Sequence, residues 1–431
     1  MTERTLAVDY LARVEGEGAL TVRLVDGKVE DVALRIFEPP RFFEAFLVGR
    51  SYAEAPDITA RICGICPVAY QMSACHALER ALGIRVDPAL RALRRLLYCG
   101  EWIESHALHL YLLHAPDFLH VPDAIALAKQ HPGVVERGLA LKRAGNTILE
   151  VLGGREVHPI NVRVGGFYRC PTVEEMAGLR RVLEAARSDA AATIAFAAGL
   201  PYPDYEAEYE FVALSHPTEY PMNDGDLVSN RGLRISADRF DSEFTEVQVP
   251  YSHALQCVRR DGGSYLVGPL ARYALNSSRL DARTSSLARE AGLGPVERNP
   301  FRSLLVRAVE IHYAVEEAIR LVDAYAPPAR PYVPPEPGAG TGEGAWTTEA
   351  PRGILFHRYR LDAGGRILEA RIVPPTSQNQ RRIEEDLRGV VTRSIDRPDA
   401  ELTDLCERTI RNYDPCISCA THFLKLSIER G

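Results

Sequence analysis

Apolar side chains recur at helical spacing through much of the first half of the chain. From residue 88 to about 114, Leu90, Leu93, Leu96, Leu97, Trp102 and Ile103, then Leu108, Leu110, Leu112 and Leu113, keep intervals that predict one long core helix. Similar patterns predict helices over 67–82, opened by Pro67, and over about 122–152. A further helix is expected over 172–198, where Thr172 and Glu175 form a capping box and Gly199 marks the stop. A short one should follow Pro39-Pro40, over 41–50. Residues 6 to 37 alternate apolar and polar types instead, and Asp26-Gly27 in their middle reads as a tight hairpin turn. The stretch from Pro201 to about Pro269 is rich in Tyr, Asp and Val with frequent turns, which predicts a smaller mixed or β subdomain. Beyond it come an amphipathic helix from Asn299-Pro300 to about Tyr325, strand-like runs at 354–361 and 367–373, a helix and turn over 379–401, and a last helix over 402–412. The pattern is that of an α+β fold, mainly a helical bundle core with small β-sheets at the N-terminal region and in the middle and C-terminal parts. We expect a single domain over 1–431, divided into a β region (1–37), helical core (38–200), mixed subdomain (201–296), helix (297–325), Pro/Gly linker (326–340) and C-terminal region (341–431).

Composition narrows the function classes. The 431 residues are 46% hydrophobic and 25% charged, an ordinary globular balance that allows a large buried site. A formal charge of -7 leaves no basic footprint for nucleic acid. Nine cysteines are an odd number, and five of them (Cys75, Cys99, Cys170, Cys257 and Cys406) are dispersed, so disulfides are not expected and a reducing, cytoplasmic setting fits. The opening residues lack the apolar core of a secretory signal, and no run reaches the roughly 18 apolar residues of a membrane span.

The other four cysteines form two Cys-x-x-Cys pairs, Cys63/Cys66 and Cys416/Cys419, at opposite ends of the chain. Each turn aims two thiolates at one point, and together they can clamp a soft metal with four sulfurs. A structural zinc site is the plain alternative, yet zinc ribbons hold their pairs about 15–20 residues apart. Charged and polar neighbours, Arg61 beside one pair and Asp414 and His422 beside the other, are more than a closed zinc site needs. A helix starting at Pro67 would also favour thiolate at Cys63 and Cys66.

Arg61-Ile-Cys63-Gly-Ile-Cys66 near the start and Asp414-Pro-Cys416-Ile-Ser-Cys419-Ala-Thr-His422 near the end resemble the large, catalytic subunit of nickel-iron hydrogenases. Further stretches extend the resemblance over nearly the whole chain. These are Arg13-Val-Glu15-Gly16, Arg41-Phe-Phe-Glu44, His114-Ala-Pro-Asp117, Gly153-Gly154-Arg155-Glu-Val-His158-Pro159, Glu349-Ala-Pro351-Arg352-Gly353, and Pro374-Pro375-Thr376-Ser377-Gln-Asn379. The resemblance implies that Cys63 and Cys416 are terminal nickel ligands and that Cys66 and Cys419 bridge nickel to an iron carrying carbon monoxide and cyanide. It makes Glu15 a proton gate beside a nickel thiolate. It places the Arg352 guanidinium over the centre, paired with Asp117 and Asp414, and has Pro351, Arg352 and Thr376 around the iron's ligands. It assigns Glu44, the carbonyl of Ile372 and His422 to a buried magnesium ion, a hard cation suited to oxygen. Alone, Glu15 would read as a solvated strand carboxylate, Arg352 as a surface residue, and His106, His109 and His114 as satisfied core histidines. The chain departs from the family pattern at Glu17 and Tyr70, where many relatives carry histidine, at Pro40, where phenylalanine would stand, and at Pro374 and Ser377.

The implied activity is reversible splitting of hydrogen into protons and electrons. No cysteine motif remains for iron-sulfur clusters, so a cluster-bearing small subunit is required. The motif details resemble the cytosolic NAD(P)-linked or sulfhydrogenase α type. The diaphorase step, with its flavin, iron-sulfur clusters and NAD(P), would lie on other subunits, since no dinucleotide fingerprint is present. A membrane-bound energy-converting hydrogenase and a zinc-stapled scaffold are the rivals, while the related quinone-site subunit of respiratory complex I lacks the four cysteines. Nickel-insertion proteins and a maturation protease cutting after His422 complete the expected partners.

Overall fold

The computed structural model describes residues 3–336 and 342–421. The N-terminal hairpin forms as the alternation predicts: strands Gly18–Val25 and Lys28–Ile36 pair antiparallel around Asp26 and Gly27, both at positive φ. Glu3–Val8 pairs with Gly18–Val25 to complete a three-stranded sheet. The helix expected after Pro40 is short, Phe43–Leu47, because Phe42 sits at φ 58° and starts it late.

Helix Pro67–Ala81 follows the first cysteine pair, and Pro88–Ala107 lies beyond it. The latter does not run unbroken to residue 114. It widens into a π-helical turn over Leu108–His114 and resumes as the short helix Ala115–Phe118. Such turns often mark functional sites, and this one brings His109 Nε2 to 2.8 Å from the Arg411 carbonyl near the chain's other end. The helix expected over 122–152 is two, Ala124–Gln130 and Pro132–Gly153. They part at His131, which the following proline keeps out of the helical region. Pro88–Ala107 and Pro132–Gly153 cross closely at Gly100 and Gly145, where a Cβ on Gly145 would meet the Gly100 carbonyl at 2.6 Å. Helix Val173–Ala198 starts at the expected capping box, with Glu175 N–H donating to Thr172 Oγ1 and Thr172 N–H to Glu175 Oε2. Ser303–Asp323, buried along most of its length, packs against Pro88–Ala107 and Val173–Ala198 and closes the helical core.

Small sheets occupy the middle of the chain, where Val212–Ser215, Asp226–Ser229 and Arg234–Ser236 form one and Phe244–Val247 pairs with Gln256–Arg259. Near the C-terminus, the expected strands form as Gly353–Leu361 and Ile367–Val373, which pair antiparallel. A third strand, Gly342–Ala350, which the apolar pattern did not reveal, lies beside them and packs on Pro67–Ala81. Helix Pro375–Arg393 begins four residues before its expected start, and Asp399–Arg411 delivers the second cysteine pair. Among the described residues no helix is long and apolar enough to cross a membrane.

Candidate metal centre

The two cysteine pairs meet in the core. Cys63, Cys66, Cys416 and Cys419 are all buried and free of disulfides, with their sulfurs within 4.8 Å of one another. The Sγ–Sγ separations are 3.5 Å for Cys63–Cys416, 3.9 Å for Cys66–Cys419 and 2.6 Å for Cys416–Cys419. Four converging thiols form a soft donor set that fits a thiophilic metal.

Each pair is held differently. Cys63 lies in the loop between helices Ala55–Ala60 and Pro67–Ala81, and its sulfur accepts the backbone N–H groups of Ile65 and Cys66, both at 3.3 Å. Hydrogen bonds with Cys416, and next with Cys419 and Cys66, pull its thiol well below the usual range against the effect of burial. The Pro67 helix begins beside this pair, and its first free N–H groups, those of Val68 and Ala69, donate to the fully buried carboxylate of Glu101, at 2.6 and 3.1 Å.

The second pair follows Asp414, at φ 50°, and begins the short helix Ile417–Ala420. The Cys416 N–H donates to Thr376 Oγ1 at 3.0 Å, and Ile417 N–H donates to the Glu15 carbonyl at 2.9 Å. Glu15 Oε2 then accepts from the Cys416 thiol at 3.0 Å and from the Ser418 N–H at 3.1 Å. Burial pushes the Cys416 thiol well above its usual range.

Arg352 is 3% exposed. Its Nε donates to the Asp414 carbonyl at 2.7 Å and lies 3.0 Å from Asp414 Oδ2, and Nη2 donates to Oδ1 at 3.2 Å. Burial alone would lower its pKa, but Asp414 and the neighbouring cysteines hold it well above the ordinary value. Its Nη1 is buried with no hydrogen-bond partner, an orphan donor of the kind a bound group satisfies. The carbonyl of Pro351 accepts from Arg272 at 2.7 Å, and Arg272 is clamped in turn by Glu310 and Glu349.

One expected pairing is corrected. Asp117 does not brace Arg352; its carboxylate is taken by Arg411, at 2.7 and 3.0 Å, and by Arg13. The π-helical turn before Asp117 aims it at the C-terminal helix, so among the described residues Asp414 is the carboxylate that pairs with Arg352. Of the three histidines, His106 and His109 are half satisfied: His106 Nε2 pairs with Glu310 at 2.9 Å and His109 Nε2 with the Arg411 carbonyl at 2.8 Å, while the Nδ1 of each is buried without a partner. In His114 neither ring nitrogen has a hydrogen bond. The Tyr70 hydroxyl is likewise buried without a partner.

Glu44 and Ile372 come together, with the Ile372 N–H donating to Glu44 Oε1 at 2.7 Å. Arg41, which the sequence did not single out, ties this region to both cysteine arms. Its N–H donates to the Thr421 carbonyl and its guanidinium to the Ile62 carbonyl, both at 2.6 Å, and to that of Ser418. His422 lies outside the described residues.

A family model described as nickel-dependent hydrogenase matches residues 41–134 and 228–422. The chain belongs to the nickel-dependent hydrogenase family. Sulfhydrogenase 2 subunit alpha of Pyrococcus furiosus is 36% identical over 98% of this chain and 100% of its own length. NAD-reducing hydrogenase HoxS subunit beta of Cupriavidus necator is 30% identical over 98% of this chain and 95% of its own length. Among solved structures, a chain of an NAD+-reducing [NiFe]-hydrogenase in the H2-reduced state superposes with a TM-score of 0.85 at 27% identity, covering 97% of this chain and 99% of that one. For a nickel-dependent hydrogenase, the four-thiol cluster is the natural seat of the nickel. Both named relatives are subunits of multi-subunit hydrogenases.

Proposed function

We propose that this hydrogenase subunit splits hydrogen reversibly at a nickel-iron centre held by Cys63, Cys66, Cys416 and Cys419. One observation carries the reading: four buried thiols converge within 4.8 Å, and one of them, Cys416, donates to a carboxylate. Cys63 and Cys416 would hold nickel alone, while Cys66 and Cys419 would bridge to an iron with carbon monoxide and cyanide ligands. When bound, the metal pair supplies the redox-active Lewis acids that polarise an otherwise extremely weak acid, H2.

The chain's own residues handle the proton and the surroundings. The Cys416 sulfur stands 3.0 Å from Glu15 Oε2, within the range needed for proton transfer, which supports Glu15 as the gate. Arg352, dry and paired with Asp414, offers its free Nη1 in a setting where charge interactions are stronger than in water. Thr376 fixes the Cys416 backbone and, with Pro351 and Arg352, would surround the iron's ligands. Asp117 supports the site indirectly, by anchoring Arg411 of the helix that precedes Asp414. Glu44, the Ile372 carbonyl and His422 would bind magnesium.

Electrons would leave through an iron-sulfur small subunit. The names of the relatives favour an NAD(P)-linked or sulfhydrogenase-type enzyme, with flavin and further iron-sulfur clusters on diaphorase-type subunits, acting in the cytoplasm. The whole of 1–431 would act as one domain, loaded by nickel-insertion proteins and trimmed after His422 by a maturation protease. Protein purified from a host with that machinery should contain about one nickel per chain and show infrared bands of iron-bound carbon monoxide and cyanide. Zinc in place of nickel and iron would overturn the proposal.

A further inference from the structure

Ser418, between Cys416 and Cys419, is held at its N–H, its hydroxyl and its carbonyl. The N–H donates to Glu15 Oε2 and the hydroxyl to Glu38 Oε2, both at 3.1 Å, while the carbonyl accepts from Arg41 Nη2. The same Nη2 donates to the Ile62 carbonyl at 2.6 Å. Ile62 and Ser418 each immediately precede a cysteine. One nitrogen, with one hydrogen for each carbonyl, therefore grips both the peptide group that leads into Cys63 and the one that leads into Cys419. The backbone N–H of Arg41 adds a third hold, on the Thr421 carbonyl at 2.6 Å.

Glu38 and Arg41 flank Pro39-Pro40. Successive prolines fix φ and restrict the residue before them, so the stretch that carries the two gripping side chains is stiff. Glu38 Oε1 lies 3.9 Å from Arg41 Nε, and Glu38 Oε2 also accepts the Glu17 N–H at 3.3 Å. Gly16 leaves room for this approach. It sits at φ +89°, and a Cβ there would come within 2.6 Å of Glu38 Oε2, 2.7 Å of Ile417 Cβ and 3.0 Å of the Ser418 nitrogen.

We propose that Glu38-Pro39-Pro40-Arg41 is a rigid bracket that sets the spacing of the two cysteine arms, with Arg41 as its positioning residue. The inference rests on the four cysteines holding the centre. Arg41 acts through two carbonyls, and through them on the reach of Cys63 and Cys419 toward the sulfurs they face, Cys416 at 3.5 Å and Cys66 at 3.9 Å. A planar guanidinium, with donors in fixed directions, suits that task better than a flexible ammonium. The departure from the family pattern at Pro40 gains a physical reason here, since it supplies the second proline of the stiff stretch.

The test compares the assembled holoenzyme with its Arg41→Gln and Arg41→Lys variants, and the full-length metal-free chain with the same changes. Gln keeps a donor but is too short to span both carbonyls. Arg41→Gln enzyme should still load nickel, with its iron-bound carbon monoxide and cyanide bands displaced from the wild-type positions and hydrogen turnover down about 10- to 100-fold. Arg41→Lys, which keeps the charge and most of the reach, should bring the bands part of the way back. In the metal-free chain, amide hydrogen exchange over residues 417–421 should quicken in Arg41→Gln while exchange in helix Pro88–Ala107 stays unchanged. The double variant Pro39→Ala/Pro40→Ala should show the same change to a smaller degree. Wild-type band positions in fully loaded Arg41→Gln enzyme would overturn the bracket, as would unchanged exchange over 417–421 in the metal-free chain. If Arg41→Gln alone failed to load nickel, the Arg41→Lys bands would decide: displaced bands uphold the bracket and unmoved bands overturn it. Failure of both to load would overturn it too, by making Arg41 an assembly residue. Unchanged exchange in the proline variant would overturn the part given to the prolines. Zinc in place of nickel and iron in the wild-type enzyme would instead sink the reading beneath, and the exchange result would still judge the bracket.

Discussion

The two cysteine arms bring two thiols each to one point by opposite means. The arm at Cys63 and Cys66 is a local structure: a loop between two helices whose own N–H groups, from Ile65 and Cys66, point at the Cys63 sulfur. The arm at Cys416 and Cys419 takes its shape from distant segments, with Thr376 on the Cys416 nitrogen, Glu15 on its sulfur and Arg352 on the preceding aspartate. The thiols do not divide in the same way: Cys63 alone is pulled down, by hydrogen bonds from the other three sulfurs, while Cys66, Cys416 and Cys419 are pushed up. What sets the second arm apart is the Glu15 carboxylate on the Cys416 sulfur.

The comparison breaks most severely with the ligands themselves. Cys63→Ser and Cys416→Ser should each abolish nickel binding and hydrogen uptake, read by metal analysis and hydrogen consumption. If only the C-terminal variant lost nickel, the local arm would be a scaffold and not a ligand. Next in size is Asp117→Ala, which takes the bidentate carboxylate from buried Arg411, leaving it the Glu407 contact at 3.4 Å, and removes the carboxylate bound to Arg13. It should cost about 3–5 kcal/mol of stability in denaturant unfolding. Because Asp117 does not touch Arg352, the metal-ligand infrared bands of folded Asp117→Asn enzyme should stay at wild-type positions.

The smallest effect concerns the helix face under the first arm, where Glu101 and Glu104 lie one turn apart. Burial pushes Glu104 up to about 7 from an ordinary 4.5, with Lys142 opposing at 3.4 Å. Between those values the folded chain holds a proton that the unfolded chain has released. Stability from this group is therefore complete below about 4.5 and declines as the pH rises through 7. The decline should total at most roughly 3 kcal/mol, and Glu104→Gln should flatten it when unfolding is followed against pH.

The local arm was the more legible of the two in sequence. Cys63, Cys66 and the proline-opened helix behind them follow from spacing and capping rules, as do the hairpin at Asp26-Gly27 and the capping box at Thr172. What escaped depends on segments distant in the chain. Glu101 reads as one more polar position on a core helix until Val68 and Ala69 are seen to donate to it. Arg41 and Arg272 act on backbone carbonyls, which leave no trace in side-chain patterns. The partner of Asp117 was misassigned because a π-helical turn, invisible to three- and four-residue spacing, turns it toward Arg411. Strand Gly342–Ala350 was missed because it has no clear alternation and is buried over its last five residues.

The central claim is that a thiol of the second arm hands its proton to Glu15. Glu15→Gln keeps the size and the hydrogen bonding of the side chain but removes a carboxylate that can take and release a proton. Purified Glu15→Gln enzyme should retain its nickel and its iron-bound carbon monoxide and cyanide bands, while hydrogen turnover falls by about 10²- to 10⁴-fold. Full metal loading with wild-type turnover would contradict the account.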